Sequence, residues 1–511
     1  MSRRAGLVAC VLAGTACSDS PHDYVVVTIE ARPAVLDASR MKVTLSNDSS
    51  TVSEDYTLGA KTFPVTLSVS ATGRTGDLGI AVEAFDEDGM LVGRGASPST
   101  VDAATATVMI DSVDFVVNTD FAEDQELSAF TGEHGFQVAA VADGTWMTSY
   151  RDACTTPCNV LGRRFDAAGR PVTSQLAAGT NAFALSSKLT TNFSTPAVAA
   201  TGTTMLAVWN ASVTVSGTTT YTIECRALNA SGGASSGQLV IATDEFPNLV
   251  SATPLTNGNF AVVWDGRVTT NVIRSAVVKP DCTLLGGVLQ TSTVAGVGTP
   301  RNSATTASGD RILYAWILDG TLRIRIANNA NTFQTPDSQL AMNTATEQIK
   351  HARAAPLPGG NFAIFTRWSL ITGNTGPGRI EMLRTNNAGT VMGTPILVSD
   401  RSGSDFGSSQ SFGVAAKANG TMLVVWHACE ERGDGNLCGV FGRLISPAGM
   451  PVGDVFSLAT TTVGDQTGPS VAALPGEAWA VTWTDNSQVD PDRSGTAVRA
   501  RVIYPPTTGA N

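Results

Sequence analysis

Three acidic residues near the C-terminus have the spacing of a cation site. Asp485, Asp490 and Asp492 precede Gly495 in one predicted loop. Hard carboxylate oxygens at this density suit Ca²⁺. The complete twelve-residue pattern of a helix-loop-helix calcium site is missing, so we favour a solvated loop. Calcium is the only cofactor that the sequence suggests.

A second short motif lies between two cysteines. Arg432-Gly433-Asp434 is flanked by Cys429 and Cys438. It resembles the integrin-binding tripeptide on a constrained loop. The same residues are ordinary turn formers, and three-residue matches are common by chance. We therefore favour a turn over an adhesion motif.

Motifs for catalysis are sparse. The chain has neither a zinc-protease HExxH motif nor a phosphate-binding Walker loop. Gly233-Ala234-Ser235-Ser236-Gly237 matches the pattern of a nucleophile elbow, but no helix is predicted after it. With only four histidines, acid–base chemistry would have to use carboxylate pairs, which spacing alone does not locate. Enzyme activity stays open, and we favour a protein without it.

Six cysteines after the N-terminal region predict disulfides, because even numbers are typical of exported proteins. The six are Cys154, Cys158, Cys225, Cys282, Cys429 and Cys438. The first two and the last two each lie within one predicted loop, which favours local bridges. The middle two would then pair across neighbouring repeats. Zinc is disfavoured because the spacing of four-ligand thiolate sites is missing.

The N-terminus predicts export. A basic start precedes an apolar run, Ala5–Ala16, which is too short to span a membrane. The segment ending at Cys17 resembles the lipobox of bacterial lipoproteins, although Gly14 departs from the usual aliphatic residue. Cys10 has a better local match but too little apolar sequence before it. The resemblance implies lipidation of Cys17, and Ser18 resembles the sorting pattern of outer-membrane lipoproteins.

We therefore expect a signal peptide over 1–17, a linker over 18–22, and a lipoprotein at the outer membrane or cell surface. The net charge of −11 and the pI of about 4.9 argue against a nucleic-acid partner. Charged residues make up only 15% of the chain and Gly numbers 50. This composition favours an all-β protein with many short strands and turns.

Residues 23–118 predict a separate β-domain. Met41–Ser46 alternates apolar and polar residues, as a half-buried strand does. Asp88-Gly89 is a strong hairpin turn between two β-rich segments. About seven such segments without helical periodicity favour an immunoglobulin-like or transthyretin-like β-sandwich.

Residues 119–505 contain an internal repeat. Each copy has a strand, a glycine-containing turn, a second strand ending in a marker residue, a variable loop and two more strands. The markers are Tyr150, Trp209, Trp264, Trp316, Thr366, Trp426 and Trp483. Their separations of 50 to 60 residues suit four-stranded propeller blades. We predict a seven-bladed β-propeller, with six or eight blades as alternatives, and a tail over 506–511.

The seventh copy lacks a fourth strand. A matching segment lies upstream at Glu126–Phe130. We expect this segment to complete the last blade and close the ring, because closure removes exposed sheet edges. The repeats resemble the propeller repeats of secreted and lipid-anchored bacterial proteins. That resemblance implies an architecture and leaves the activity open.

The loops between strands 2 and 3 are long and unlike one another, so they are the expected binding face. Candidate residues on this face are Asp265, Trp368, His427, Arg432 and Asp434. We expect the marker tryptophans to pack as core. The favoured hypothesis is a monomeric, lipid-anchored binding or scaffolding platform for an unknown protein or glycan. The alternative is a propeller that binds or cleaves carbohydrate.

Overall fold

The computed structural model confirms an all-β protein. Strands dominate the described residues, and the two helices among them are short 3₁₀ helices, Pro33–Val35 and Pro358–Gly360. No helix in this part of the chain is long and apolar enough to cross a membrane. The described ranges are 24–48, 50–70, 76–100, 105–118, 137–151, 159–176, 182–186, 196–243, 249–267, 271–293, 300–371, 378–399, 412–429, 437–489 and 495–505.

The N-terminal unit contains one seven-stranded sheet. Its strands are β1 Tyr24–Ala31, β2 Arg40–Asn47, β3 Ser50–Thr57, β4 Val65–Ser70, β5 Asp77–Phe85, β6 Leu91–Thr100 and β7 Thr105–Ser112. Their order is β3-β2-β5-β6-β7-β1-β4. All described pairings are antiparallel except the parallel pair β1–β7. Because β7 pairs with both β6 and β1, the strands form one continuous sheet, and the predicted sandwich class stays a prediction.

Alternation along the strands builds the core of this unit. On β2, Met41, Val43 and Leu45 are buried, while the residues between them are partly exposed. Val43 lies opposite Val82 of β5, which is also buried. The period of two predicted from the sequence therefore corresponds to one apolar face around one core.

The rest of the chain forms seven four-stranded sheets, confirming the predicted blade number. Blades 1 to 4 comprise β9 Val138–Ala140, β10 Trp146–Arg151, β11 Val160–Phe165, β12 Ala182–Ala184; β13 Ala197–Ala200, β14 Thr204–Val215, β15 Thr218–Asn229, β16 Leu239–Thr243; β17 Val250–Pro254, β18 Phe260–Arg267, β19 Asn271–Val278, β20 Leu289–Gln290; and β21 Pro300–Ser308, β22 Arg311–Leu318, β23 Thr321–Asn328, β24 Ser338–Ala341. Blades 5 to 7 comprise β25 Glu347–Leu357, β26 Asn361–Leu370, β27 Arg379–Thr385, β28 Ile396–Ser399; β29 Phe412–Ala416, β30 Met422–Cys429, β31 Cys438–Ile445, β32 Pro451–Ser457; and β33 Gln466–Ala473, β34 Trp479–Asp485, β35 Ala497–Ile503 with β8 Phe115–Val116.

The first strands of the blades form a closed ring. Each first strand contacts the first strand of the next blade, and β33 of blade 7 contacts β9 of blade 1. The fourth strand of blade 7 is β8, in which Val116 lies opposite Arg499. Val117 then donates its backbone N–H to the carbonyl of Val498 at 2.7 Å. The segment predicted for this role, 126–130, lies outside the described residues.

The marker residues are buried between blades. Tyr150, Thr366 and the five marker tryptophans have no exposed surface. Trp264 packs in a cluster with residues of blade 2, and Trp426 packs in a cluster with residues of blade 5. Each of these tryptophans therefore joins its blade to the preceding one, as the sequence analysis expected.

Turns between strands 3 and 4 share one geometry. Gly169, Gly389 and Gly449 have φ values of 88°, 82° and 81°, so glycine fits a left-handed position there. Cys282 and Asn331 occupy the same turn position with φ values of 66° and 60°. Cysteine and asparagine therefore adopt the left-handed conformation that glycine adopts in the other copies.

A row of arginines joins consecutive blades, and the sequence analysis missed it. Four blades have an arginine on strand 3 at the second residue after the one opposite the marker, and blade 7 has Arg501 on its strand 3. Each donates to a backbone carbonyl at the end of the preceding blade's fourth strand. The bonds are Arg163 to Val117, Arg226 to Ala184 (3.1 Å), Arg325 to Thr291 (3.0 Å), Arg443 to Val398 (2.9 Å) and Arg501 to Leu458 (2.9 Å). We call these five residues the arginine row.

Two disulfides support the fold and agree with an exported protein. Cys429 and Cys438 lie opposite each other on β30 and β31, with Cα atoms 3.9 Å apart. Cys225 of blade 2 is bonded to Cys282 of blade 3, with Cα atoms 6.1 Å apart. Blade 3 has Ala276 in place of the arginine-row residue. The Cys225–Cys282 disulfide therefore connects blade 3 to blade 2 at a junction that has no arginine-row bond. Cys154 and Cys158 lie outside the described residues.

Candidate functional site

The face where each strand 2 ends and each strand 1 begins is the candidate site, and we call it the upper face. The residue directly after the marker occupies an equivalent position in each of the seven blades. The seven are Arg151, Asn210, Asp265, Ile317, Arg367, His427 and Thr484. All except Arg151 are buried. A regular scaffold therefore places side chains of six different types at seven equivalent points of the ring.

Asp265 joins blades 3 and 4. Its carboxylate accepts the backbone N–H groups of Asn302 at 2.7 Å and Ser303 at 3.1 Å. Burial raises the pKa of Asp265 to about 6, although these bonds and Arg301 oppose the rise. Both carboxylate oxygens thus bind the backbone of β21, the first strand of blade 4. Asp265 therefore positions this strand in the ring.

The residues held by Asp265 form a β-bulge. The pairing of β21 with β22 shifts between Arg301 and Ala304, and Asn302 has a φ of 57°. In blade 5 the pairing of β25 with β26 shifts one step nearer the upper end, between Ile349 and His351. The Asn302 amide donates to the carbonyl of Lys350, the extra residue of that second bulge, at 2.5 Å. The first strands of blades 4 and 5 are thereby locked together at their upper ends.

Five basic residues cluster around these bulges: Arg301, Lys350, His351, Arg353 and Arg367. His351 lies directly opposite Arg367 on the neighbouring strand. Arg353 donates to the carbonyl of Phe412 in blade 6 at 3.1 Å. Arg301 is exposed and Lys350 is half-buried, whereas the other three are buried. We call this set the basic cluster.

Like charges and burial act together on the basic cluster. Burial lowers the pKa of Lys350, and Arg301 and Arg367 lower it further. Burial likewise holds the pKa of His351 well below its usual value, with the other four members of the cluster adding to the effect. For Arg367, burial lowers the pKa to about 9. The sequence analysis missed this cluster because its members are distributed over three strands.

Trp368 lies at the end of β26 and is almost fully buried. Its indole N–H donates to the Thr366 hydroxyl at 3.2 Å. The guanidinium of Arg379 lies 4.6 Å from the centre of the ring and pairs with Glu347 and Glu381. Trp368 is therefore covered at this face by an ion-paired arginine.

His427 lies on β30, opposite Val440, and is buried. It is close in sequence to the Cys429–Cys438 disulfide, which begins and ends the following loop. Cys438 donates its backbone N–H to Asp465 at 3.0 Å. Arg432 and Asp434 lie outside the described residues, so the tripeptide hypothesis stays a prediction.

Asp485 is engaged within blade 7. Arg499 donates to one carboxylate oxygen at 2.8 Å, and Gln466 donates to the other at 3.1 Å. The Ser487 hydroxyl is a third donor. Asp490 and Asp492 lie outside the described residues, and the calcium hypothesis stays a prediction. Among the described residues, no group of three or more His, Cys, Asp and Glu side chains could hold a metal ion.

A cavity of about 730 Å³ opens on the opposite, lower face of the ring. It is lined by the turns between strands 1 and 2 of blades 1, 2, 3, 6 and 7. Lys417 donates to the carbonyls of Leu474 and Ala478, each at 3.0 Å. Small and apolar residues make up most of the lining, and the lysine is used in joining blade 6 to blade 7.

The serine motif lies where the sequence analysis expected, in a turn between strands 3 and 4. Gly233 donates its backbone N–H to Asn229 at 2.8 Å. The Ser236 hydroxyl accepts the N–H of Ala227 at 2.9 Å. These bonds stabilise a turn that leads into β16, and no helix follows to form a nucleophile elbow.

No family model and no curated protein matches the chain. Solved structures that resemble it include a Dyadobacter fermentans protein of unknown function, at 10% identity and a TM-score of 0.41 over 77% of this chain and 98% of that one. A family PL25 ulvan lyase has 11% identity and a TM-score of 0.44, over 73% and 95%. The NanB sialidase of Streptococcus pneumoniae, as a mutant, has 9% identity and a TM-score of 0.41, over 95% of each chain. Similarity at this level supports no inference about ligand or activity.

Proposed function

We propose that this chain is an exported, lipid-anchored binding protein without enzymatic activity. The observation that carries the proposal is the upper face, where seven equivalent positions of a closed ring hold side chains of six different types. A scaffold kept regular by buried tryptophans and the arginine row, with unlike residues at equivalent points of this face, suits recognition of a ligand. The N-terminal sheet, which we assign to the sandwich class, serves as a spacer from the membrane.

The anchor rests on the sequence around Cys17. Metabolic labelling with a palmitate analogue should label the wild-type protein, and Cys17→Ser should abolish the label. Cys10→Ser is the matched control. Because the apolar segment before Cys10 is too short for a signal peptide, this variant should retain the label. Label that persists in Cys17→Ser would contradict the anchor.

The binding role is tested by screening the soluble fragment 23–511 against glycans and envelope proteins. A saturable ligand whose affinity falls on substitution at the upper face supports the proposal. A ligand that binds only the N-terminal unit would overturn the assignment of the face.

Carbohydrate recognition is the second candidate. Of the five carboxylates nominated from the sequence, the two within the described residues, Asp265 and Asp485, are both buried and hydrogen-bonded within the ring. This observation favours binding over cleavage by those two residues, because a catalytic carboxylate pair must reach the sugar. Neutral and acidic oligosaccharides in the same screen distinguish this candidate from a protein ligand.

A further inference from the structure

The basic cluster concentrates positive charge in an acidic protein. The chain has 33 Lys and Arg residues against 44 Asp and Glu residues. Four of those 33, together with one of the four histidines, lie around the bulges of blades 4 and 5. The cluster is on the upper face, where the proposed function places ligand binding.

The backbone forces these residues together. A bulge inserts an extra residue into a strand and re-aims nearby side chains. In blades 4 and 5 the bulges lie at adjacent levels near the upper face and are joined by the Asn302 bond to Lys350. Arg301 and Lys350, one at each bulge, are the members with access to solvent. Asp265, bonded to the backbone of the first bulge, fixes its position.

Basic groups lie close to His351 and Lys350. The charges of the other four members lower the pKa of His351, and those of Arg301 and Arg367 lower the pKa of Lys350. His351 is nine-tenths buried, and its Nδ1 has no hydrogen-bond partner among the described residues. Asp265 is the carboxylate that interacts with Arg301, and its oxygens already accept two backbone N–H groups. A buried polar atom such as this Nδ1 is stabilised by a hydrogen-bonding partner, and the exposed Arg301 and half-buried Lys350 favour a partner that carries negative charge.

We propose that the basic cluster is a binding site for an oxyanion, with Arg301 and Lys350 as the entrance and His351 behind them. Arg353 and Arg367 add to the positive field. The ligand group is a carboxylate, sulfate or phosphate, whose planar or tetrahedral oxygens suit arginine and lysine donors. Two sources supply this chemistry: an acidic saccharide or a free inorganic anion. The inference deepens the proposed function by naming the ligand chemistry of its face.

The test is anion binding by the full chain, measured by isothermal titration calorimetry at constant ionic strength set with NaCl. The probes are glucuronate, inorganic sulfate and inorganic phosphate, with glucose as the neutral control. Saturable binding of an anion but not of glucose is expected. The double variant Arg301→Gln/Lys350→Gln should weaken it at least about tenfold, since two charge-assisted contacts are removed.

The matched control is Lys279→Gln/Arg311→Gln, which removes the same charge from turns at the lower ends of blades 3 and 4. It should bind as the wild type does. Preference for glucuronate assigns an acidic saccharide, and equal or tighter binding of sulfate or phosphate assigns a free anion. Absence of saturable anion binding, or equal loss in both double variants, overturns the site. Either result leaves the Cys17 labelling test and the ligand screen to judge the proposed function separately.

Discussion

At the residue scale, side chains chosen for possible chemistry mostly stabilise the ring. Asp265 holds the next blade, Trp368 is covered by Arg379, and Asp485 pairs with Arg499. Asp265, Trp368 and Asp485 were chosen from the sequence because their side chains can take part in binding. Sequence alone does not distinguish a buried hydrogen-bond acceptor from an exposed ligand-binding group. Burial separates the two, and burial depends on the neighbouring blade.

The buried carboxylate of Asp265 makes stability depend on pH. Its pKa of about 6 in the folded protein exceeds the ordinary value of 3.8, so the folded state retains the proton when the unfolded chain has lost it. The free energy of unfolding should therefore fall as pH rises from about 4 to about 6, by up to about 3 kcal/mol from this residue. Above that window the contribution is constant.

The measurement compares wild type with Asp265→Asn in urea titrations from pH 4 to 7.5, followed by tryptophan fluorescence. Because the amide does not titrate, the stability of wild type relative to the variant should decline across the window. Effects of other carboxylates cancel in this comparison. A difference that is independent of pH would show that Asp265 keeps an ordinary pKa.

At the element scale, the junction between blades is the repeating unit of stability. The arginine row joins five junctions through backbone carbonyls. Blade 3 has alanine at the equivalent position, and the Cys225–Cys282 disulfide connects it to blade 2. In blade 5 the equivalent residue is Leu383, which packs in an apolar cluster with residues of blade 4. Equivalent junctions between blades are thus stabilised by different interactions: an arginine hydrogen bond, a disulfide or apolar packing.

Removing one member of the arginine row should destabilise the propeller. Arg443→Met leaves the buried carbonyl of Val398 without this donor, and we expect a loss of about 1–3 kcal/mol. The eight tryptophans all belong to the propeller repeats, so fluorescence-detected urea unfolding reports on that unit.

The matched control for Arg443→Met is Arg311→Met, whose ion pair with Asp310 is long, at 3.7 Å, and lies at the surface. Its loss should cost less than about 1 kcal/mol. Equal effects of the two substitutions would contradict a special role for the arginine row.

At the scale of the whole propeller, the fourth strand of blade 7 comes from β8, far away in the chain. The pairing of β8 with β35 covers an edge of β35 that would otherwise be free. The N-terminal and C-terminal parts of the repeat region become a single cooperative structure, because neither part alone completes the last blade.

Val117→Pro tests this closure. The substitution removes the N–H that bonds to Val498 and should destabilise the propeller by about 3 kcal/mol or more. Val117→Ala is the control, since it shortens the same buried side chain and retains the N–H. Urea unfolding followed by tryptophan fluorescence should show a clearly larger loss for proline. Similar losses would mean that the side chain, and not the strand pairing, holds the closure.

The sequence determined the architecture of this protein because a fold repeated seven times leaves a periodic record. Marker residues such as Trp264 and glycines such as Gly389 recur because six of the seven blades have a buried aromatic marker and six have the same left-handed turn. Pairing of Cys225 with Cys282 was also predicted, by assigning the other cysteines to local loops.

Only the tertiary structure decided which residues meet across blades. Lys350 is 49 residues from Arg301 in the sequence, and the two approach each other because neighbouring first strands bulge at adjacent levels. Asp265 became a buried acceptor for the same reason. Side chains that act across a blade junction have no fixed spacing, because loop lengths vary between repeats, so their proximity arises only when the ring is closed.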